Sequence, residues 1–198
     1  MFAADELPDA APSTAAKAWM LVVVAALVAF EAGSLLYLKY ASVDFVVARR
    51  EASAPLYQVG SVVSWTQSTF GALSGWSPPE SIGTWSVRSV AMLGVTLPQP
   101  PAEDLVFTAH AMALVDSRAL PVRSVDVLAN GTPVAHWVFT DDRLTERSAR
   151  IPHGLVAGDG RLRVEFRFDG ARSPFELGIG QDRRRISMLI ARWKIEPA

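Results

Sequence analysis

The hydrophobic pattern of the chain changes period once, and the change divides it. Residues 18–38 form an apolar run, interrupted about two thirds of the way along by Glu31, with Gly33 and Ser34 after it, of the roughly 20 positions that a helix needs to cross a bilayer. Trp19 at one end and Tyr37 and Tyr40 at the other fall where interfacial aromatics belong, with Lys17 and Lys39 as flanking charges. The run is long for the apolar stretch of a signal peptide, and no clean small-x-small cleavage site follows Tyr40. An uncleaved single-pass transmembrane helix over 18–38 is therefore expected. Residues 1–17 carry acids and alanines without apolar period and predict a disordered tail. Residues 39–56, ending near Pro55, predict a juxtamembrane stalk.

From residue 57 to the C-terminus the period is two. Segments 59–65, 69–76, 85–88 and 90–97 are rich in β-branched and aromatic residues. Segment 105–113 places Leu105, Phe107, Ala109, Ala111 and Ala113 on one face. Asn130-Gly131 sits between alternating runs at 122–129 and 132–140, the preferred chemistry of a two-residue hairpin turn. Segment 161–168 alternates Leu162, Val164, Phe166 and Phe168 with Arg161, Arg163, Glu165 and Arg167, and 186–195 puts Leu189, Ala191, Trp193 and Ile195 on one face of a last strand. Eight or nine short strands with no long helix predict an all-β fold over 57–198, an antiparallel, jelly-roll-like β-sandwich.

Composition narrows the chemistry. The 198 residues contain no cysteine, which removes disulfides and thiolate chemistry, and a net charge of −1 gives no basic field for a nucleic-acid partner. No phosphate-binding glycine loop and no nucleophile elbow occurs, and His110, His136 and His153 lack metal-ligand spacing. No catalytic residue, metal or cofactor is expected.

Candidate binding residues remain. The stretch from Gly75 to Ser86 holds Trp76 and Trp85, which either plug the open end of the sandwich or form a stacking platform for a sugar ring. Glu80, Glu176 and Asp182 are carboxylates that either act on a glycan or pair with the arginines at 183–185. In a jelly roll the first and last strands lie side by side, so Glu80 is expected to meet the segment 173–184, where Arg184 can answer it with a two-pronged hydrogen bond. In the apolar run, Glu31 either nears the interface or, with Gly33 and Ser34, contacts another membrane subunit.

Two segments, Gly75-x-Ser77-x-x-Glu80-x-x-Gly83-x-Trp85-Ser86 and Ser173-Pro174-x-Glu176-Leu177-Gly178-x-x-x-Asp182-x-Arg184, resemble the motifs that bracket a β-sandwich accessory domain. That domain is attached to bacterial membrane glycosyltransferases and phosphoglycerol-transferase-like envelope enzymes. The resemblance implies an accessory role without transferase activity, and a sandwich on the periplasmic side of the inner membrane. Counted strictly, the positive charges after the helix, Lys39, Arg49 and Arg50, favour the opposite orientation. Two roles are expected to compete: a membrane-anchored module binding an envelope glycan through Trp76, Glu80, Trp85, Glu176, Asp182 and Arg184, and an accessory subunit docked on another inner-membrane protein.

Overall fold

The computed structural model describes residues 54–198. The expected tail, the expected span with Glu31, Gly33 and Ser34, and all of the expected stalk but its last residues lie outside them. No helix among the described residues is long and apolar enough to cross a membrane.

Ten strands form two five-stranded antiparallel sheets: β1 (Val63–Ser64), β2 (Ala72–Ser74), β3 (Thr84–Trp85), β4 (Val90–Thr96), β5 (Leu105–Ala113), β6 (Arg123–Ala129), β7 (Thr132–Phe139), β8 (Thr145–Ile151), β9 (Arg161–Phe168) and β10 (Met188–Pro197). The first sheet runs β1-β10-β5-β8, with β3 also against β10, and the second runs β2-β4-β9-β6-β7. The first and last strands are neighbours, as the jelly-roll expectation requires.

Alternation decides which side chains meet between the sheets. From β5, Leu105, Phe107, Ala109, Ala111 and Ala113 point inward and are buried; from β9, Leu162, Val164, Phe166 and Phe168 do the same. Aromatic rings join the two layers. Trp193 of β10 lies 6.1 Å from Phe107 and 6.3 Å from Trp65 between ring centroids, and Phe107 lies 5.9 Å from Phe166 across the sandwich. Trp137 of β7 stacks on Phe107 at 6.3 Å and sends its indole N–H to the Ser148 carbonyl of β8, so the edge strand of one sheet is tied to the edge strand of the other.

The hairpin turn forms as its sequence predicts. Asn130 and Gly131 have φ of 44° and 87°, and Ala129 pairs with Thr132. The Asn130 amide donates to the carbonyls of Leu155 and Arg161, while its oxygen accepts the Arg163 N–H, so the turn is also fastened to β9.

Three expectations are corrected. The strand expected over 69–76 shrinks to β2, because Gly71 and Gly75 take left-handed backbone on either side of it. β8 was not expected at all: only Ala149 and Ile151 of its seven residues are buried, so a polar edge strand hides its period. In β10 the partner register shifts between Ile190 and Arg192, making Ala191 an extra, unpaired residue. That bulge moves Met188 and Ile190 onto the same core as Trp193 and Ile195, and sends Leu189 to a separate cluster with Trp85, Leu114 and Ile186.

Phe166 is fully buried at the centre of the ring cluster, whereas Arg161 on the same strand is exposed and pairs with Asp159. Phe166→Ala is expected to cost about 3–5 kcal/mol in urea unfolding and Arg161→Ala under about 1 kcal/mol. Similar losses at both positions would mean that the facing of β9 is wrong.

Candidate functional site

The stretch from Gly75 to Ser86 folds back on itself. Trp76 bridges to Ser86, the Ser77 N–H donates to the Trp85 carbonyl at 2.8 Å, and Glu80 and Gly83 exchange backbone hydrogen bonds at the tip. Gly83 has φ of 144°, and a Cβ there would lie 2.5 Å from the Ile190 carbonyl oxygen. Only glycine lets this loop lie so close to β10. Ser86 completes the attachment, its hydroxyl oxygen accepting the Met188 N–H at 2.9 Å. Both indoles are structural here. Trp85 is 7% exposed within the small cluster over the outer face of the first sheet, and Trp76 packs its ring 4.7 Å from Trp65 while its N–H bonds the Met92 carbonyl. Trp85 therefore sits as a plug with little indole face left for a sugar, whereas Trp76 is anchored on its core side and keeps part of its ring at the surface.

The segment after β9 meets this loop. Arg184 donates to Glu80 at 2.5 Å and, through two nitrogens, to Asp182, with Nη2 to Oδ2 at 2.7 Å. Glu80 and Arg184 therefore meet in a clasp as expected, but through a single hydrogen bond, the two-pronged contact going to Asp182 instead. The hydrogen bonds that Arg184 donates to Asp182, and then to Glu80, push its guanidinium further into its charged range; the Arg184 side chain and its backbone N–H hold the Asp182 carboxyl below its usual value. Glu176 does not join them. Its carboxylate accepts the Ser173 N–H, and the Ser173 hydroxyl oxygen accepts the Glu176 N–H, a reciprocal capping box that shapes the turn. Phe175, 43% exposed under the Arg183 guanidinium at 3.8 Å, went unnoticed in the sequence, where one Phe beside a proline carries no period.

A second surface is not visible in any motif. Strand register aligns Ser64, Arg192, His110 and Glu146 in one row across β1, β10, β5 and β8, with Lys194, Thr108 and Ser148 in the next row. These side chains stand on the outer face of the first sheet. Val62, Thr108, His110, Glu146, Arg192 and Lys194 line an open groove of about 240 Å³ there. Arg192 Nη2 lies 3.3 Å from His110 Nε2, a bond in which the guanidinium donates and the ring nitrogen accepts. Lys194 is paired with Glu196 at 2.7 Å, while Glu146 makes no ion pair among the described residues. Two larger hollows offer less. In one, of about 360 Å³, the Asn130 side chain is spent on the turn and Arg161 on Asp159; the other, of about 310 Å³, is walled by four prolines and apolar side chains with Gln58, Gln99 and Glu103 among them. Among the described residues no three His, Asp or Glu side chains converge as a metal site would require.

No protein-family model matches this chain, and no curated protein does. The likenesses are structural and distant. The CBM36-1 domain of a multidomain xylanase from the hindgut metagenome of Trinervitermes trinervoides is 13% identical with a TM-score of 0.40, covering 70% of this chain and 97% of that one. A carbohydrate-binding module CBM36 in complex with calcium and xylotriose is 12% identical with a TM-score of 0.39, over 69% and 99%. The C-terminal domain of EclA, a sugar-binding protein, is 13% identical with a TM-score of 0.35, over 71% and 82%. Scores below 0.5 transfer neither ligand nor activity.

The clasp and the groove differ in what they leave free. In the clasp each charge has found its partner, so it holds two loops together; in the groove, donors and acceptors stand open on a rigid sheet. As an exposed pair, the clasp is worth little: Glu80→Gln should cost under about 1 kcal/mol, a fall in Tm of roughly 2–4 °C. Trp85→Ala, which empties a buried site, should cost about 3–5 kcal/mol. Because the Asp182 carboxyl is held below its usual 3.8, the clasp's contribution is complete at neutral pH and fades as the pH falls below that value. Thermal melts from pH 7 to pH 3 check both statements, and a Glu80→Gln loss as large as that of Trp85→Ala would contradict them.

Proposed function

We propose that this chain is a non-catalytic, membrane-anchored glycan-binding accessory protein, its β-sandwich on the periplasmic side of a bacterial inner membrane. One observation carries the binding role: the row Arg192, His110 and Glu146, with Thr108 and Lys194 beside it, presents hydrogen-bonding groups of both kinds in an open groove on paired strands. A sugar is dense in hydroxyls that both donate and accept, and a mixed row on a rigid sheet answers such a ligand without reorganising. The apolar run at 18–38 supports the anchor, and the resemblance of the two bracketing motifs to the accessory sandwich of envelope enzymes supports the side.

Carboxylate spacing in the groove supports the non-catalytic part of this reading. Glycoside hydrolysis uses two carboxyl groups about 5–9.5 Å apart. Glu146 on β8, opposite His110, is the one carboxylate among the residues that line the groove, and Glu196 on β10, opposite Val106, lies outside that lining. Two strand spacings and four residues separate them, on the order of 15 Å.

The test is a glycan array probed with the full chain in detergent micelles. Wild type should bind, and His110→Ala and Glu146→Gln should each weaken binding at least about tenfold with Tm unchanged. Variants that bind like wild type would remove the groove from the account. Protease added to spheroplasts should digest the sandwich; its survival beside a digested periplasmic control would reverse the side.

A further inference from the structure

We infer that the groove is built for an acidic sugar, its carboxylate on Arg192 and its hydroxyls toward His110 and Glu146. The inference rests on the glycan reading and names the ligand class of the same site.

The charges in the groove are divided between its two walls. On the β10 wall, Arg192 and Lys194 project from one face two residues apart, and Lys194 is neutralised by Glu196 at 2.7 Å. Arg192 has no such acid. Among the described residues its one polar side-chain contact is to His110 Nε2 at 3.3 Å, so most of the five N–H donors of its guanidinium, at the edge of the groove, have no protein acceptor. The planar fork of a guanidinium matches a carboxylate in a two-pronged hydrogen bond that an ammonium cannot reproduce. On the β8 wall stands Glu146, an acceptor-only group when ionised, unpaired and suited to sugar hydroxyls.

His110 lies between them, paired with Arg192 on one side and with Glu146 on the other. The two walls are therefore two strand spacings apart, about 9–10 Å. A single sugar ring with its substituents lies across that gap. Its orientation is set by charge, because a carboxylate placed at Glu146 is repelled and one placed at Arg192 is attracted.

The experiment uses oligomers of glucuronate, galacturonate and mannuronate, each paired with its carboxyl-reduced counterpart, titrated into the full chain in detergent micelles. At least one acidic oligomer should bind about tenfold or more tighter than its reduced partner, and added salt should shrink the difference. Arg192→Gln should abolish the preference while the reduced oligomers still bind, and Lys194→Gln should leave most of it. Equal affinity for acid and reduced forms overturns the inference and leaves the glycan reading standing. A preference that survives Arg192→Gln overturns it by placing the carboxylate elsewhere. Binding of neither member of any pair, with none on the neutral array, overturns the inference together with the reading beneath it.

Discussion

The contact on which the rest of the molecule depends is the aromatic bridge between the two sheets. Phe107, packed against Trp193 in one layer, meets Phe166 and Trp137 of the other, with Trp65, Trp76 and Tyr57 filling in around them. No disulfide supplements it, since the chain lacks cysteine. Several of the strands that carry loops are very short, β1 and β3 having two residues each, and such strands cannot hold a loop by ladder bonds alone. They are held because Trp65 and Trp76 insert into the bridge and because Thr84 donates to the Trp65 carbonyl at 2.9 Å.

That dependence separates structure from site. The loop between Gly75 and Ser86 uses its tryptophans as anchors and closes on the segment after β9 through Glu80 and Arg184, so its most conspicuous residues are occupied in keeping the fold together. The outer face of the first sheet is a different case. Inward alternation on β5 and β10 has already satisfied the core, which leaves Thr108, His110, Arg192 and Lys194 facing outward on a backbone that the core holds still. A groove of polar groups costs little stability to maintain there, and its geometry is set by the strands.

How much of this was legible in the sequence depended on whether the signal was local. The strand of Leu162, Val164, Phe166 and Phe168 and the Asn130-Gly131 turn are written in adjacent residues, and both fold as their patterns predict. The meeting of Glu80 with Arg184 was also foreseeable, since a sandwich brings its first and last strands together. Three features were not. The bulge at Ala191 changes the facing of Leu189 through a register shift that alternation cannot show, β8 is too polar to betray its period, and the row from Arg192 to Glu146 joins residues that are neighbours only by strand pairing. Trp85 was open to two readings: a tryptophan beside a carboxylate suggests a sugar platform, and the same ring is the natural plug for a small satellite core, where it is found.

The central claim is that a glycan engages the open face of the first sheet and not the clasped loops. Backbone amide shifts of the isotopically labelled full chain in micelles, followed while an acidic oligosaccharide is titrated in, test it most directly. The account predicts that the perturbed amides gather at Thr108, His110, Glu146, Arg192 and Lys194, with Glu80, Phe175 and Arg184 unmoved. Perturbations confined to Glu80, Phe175, Asp182 and Arg184, with the sheet face silent, would contradict it.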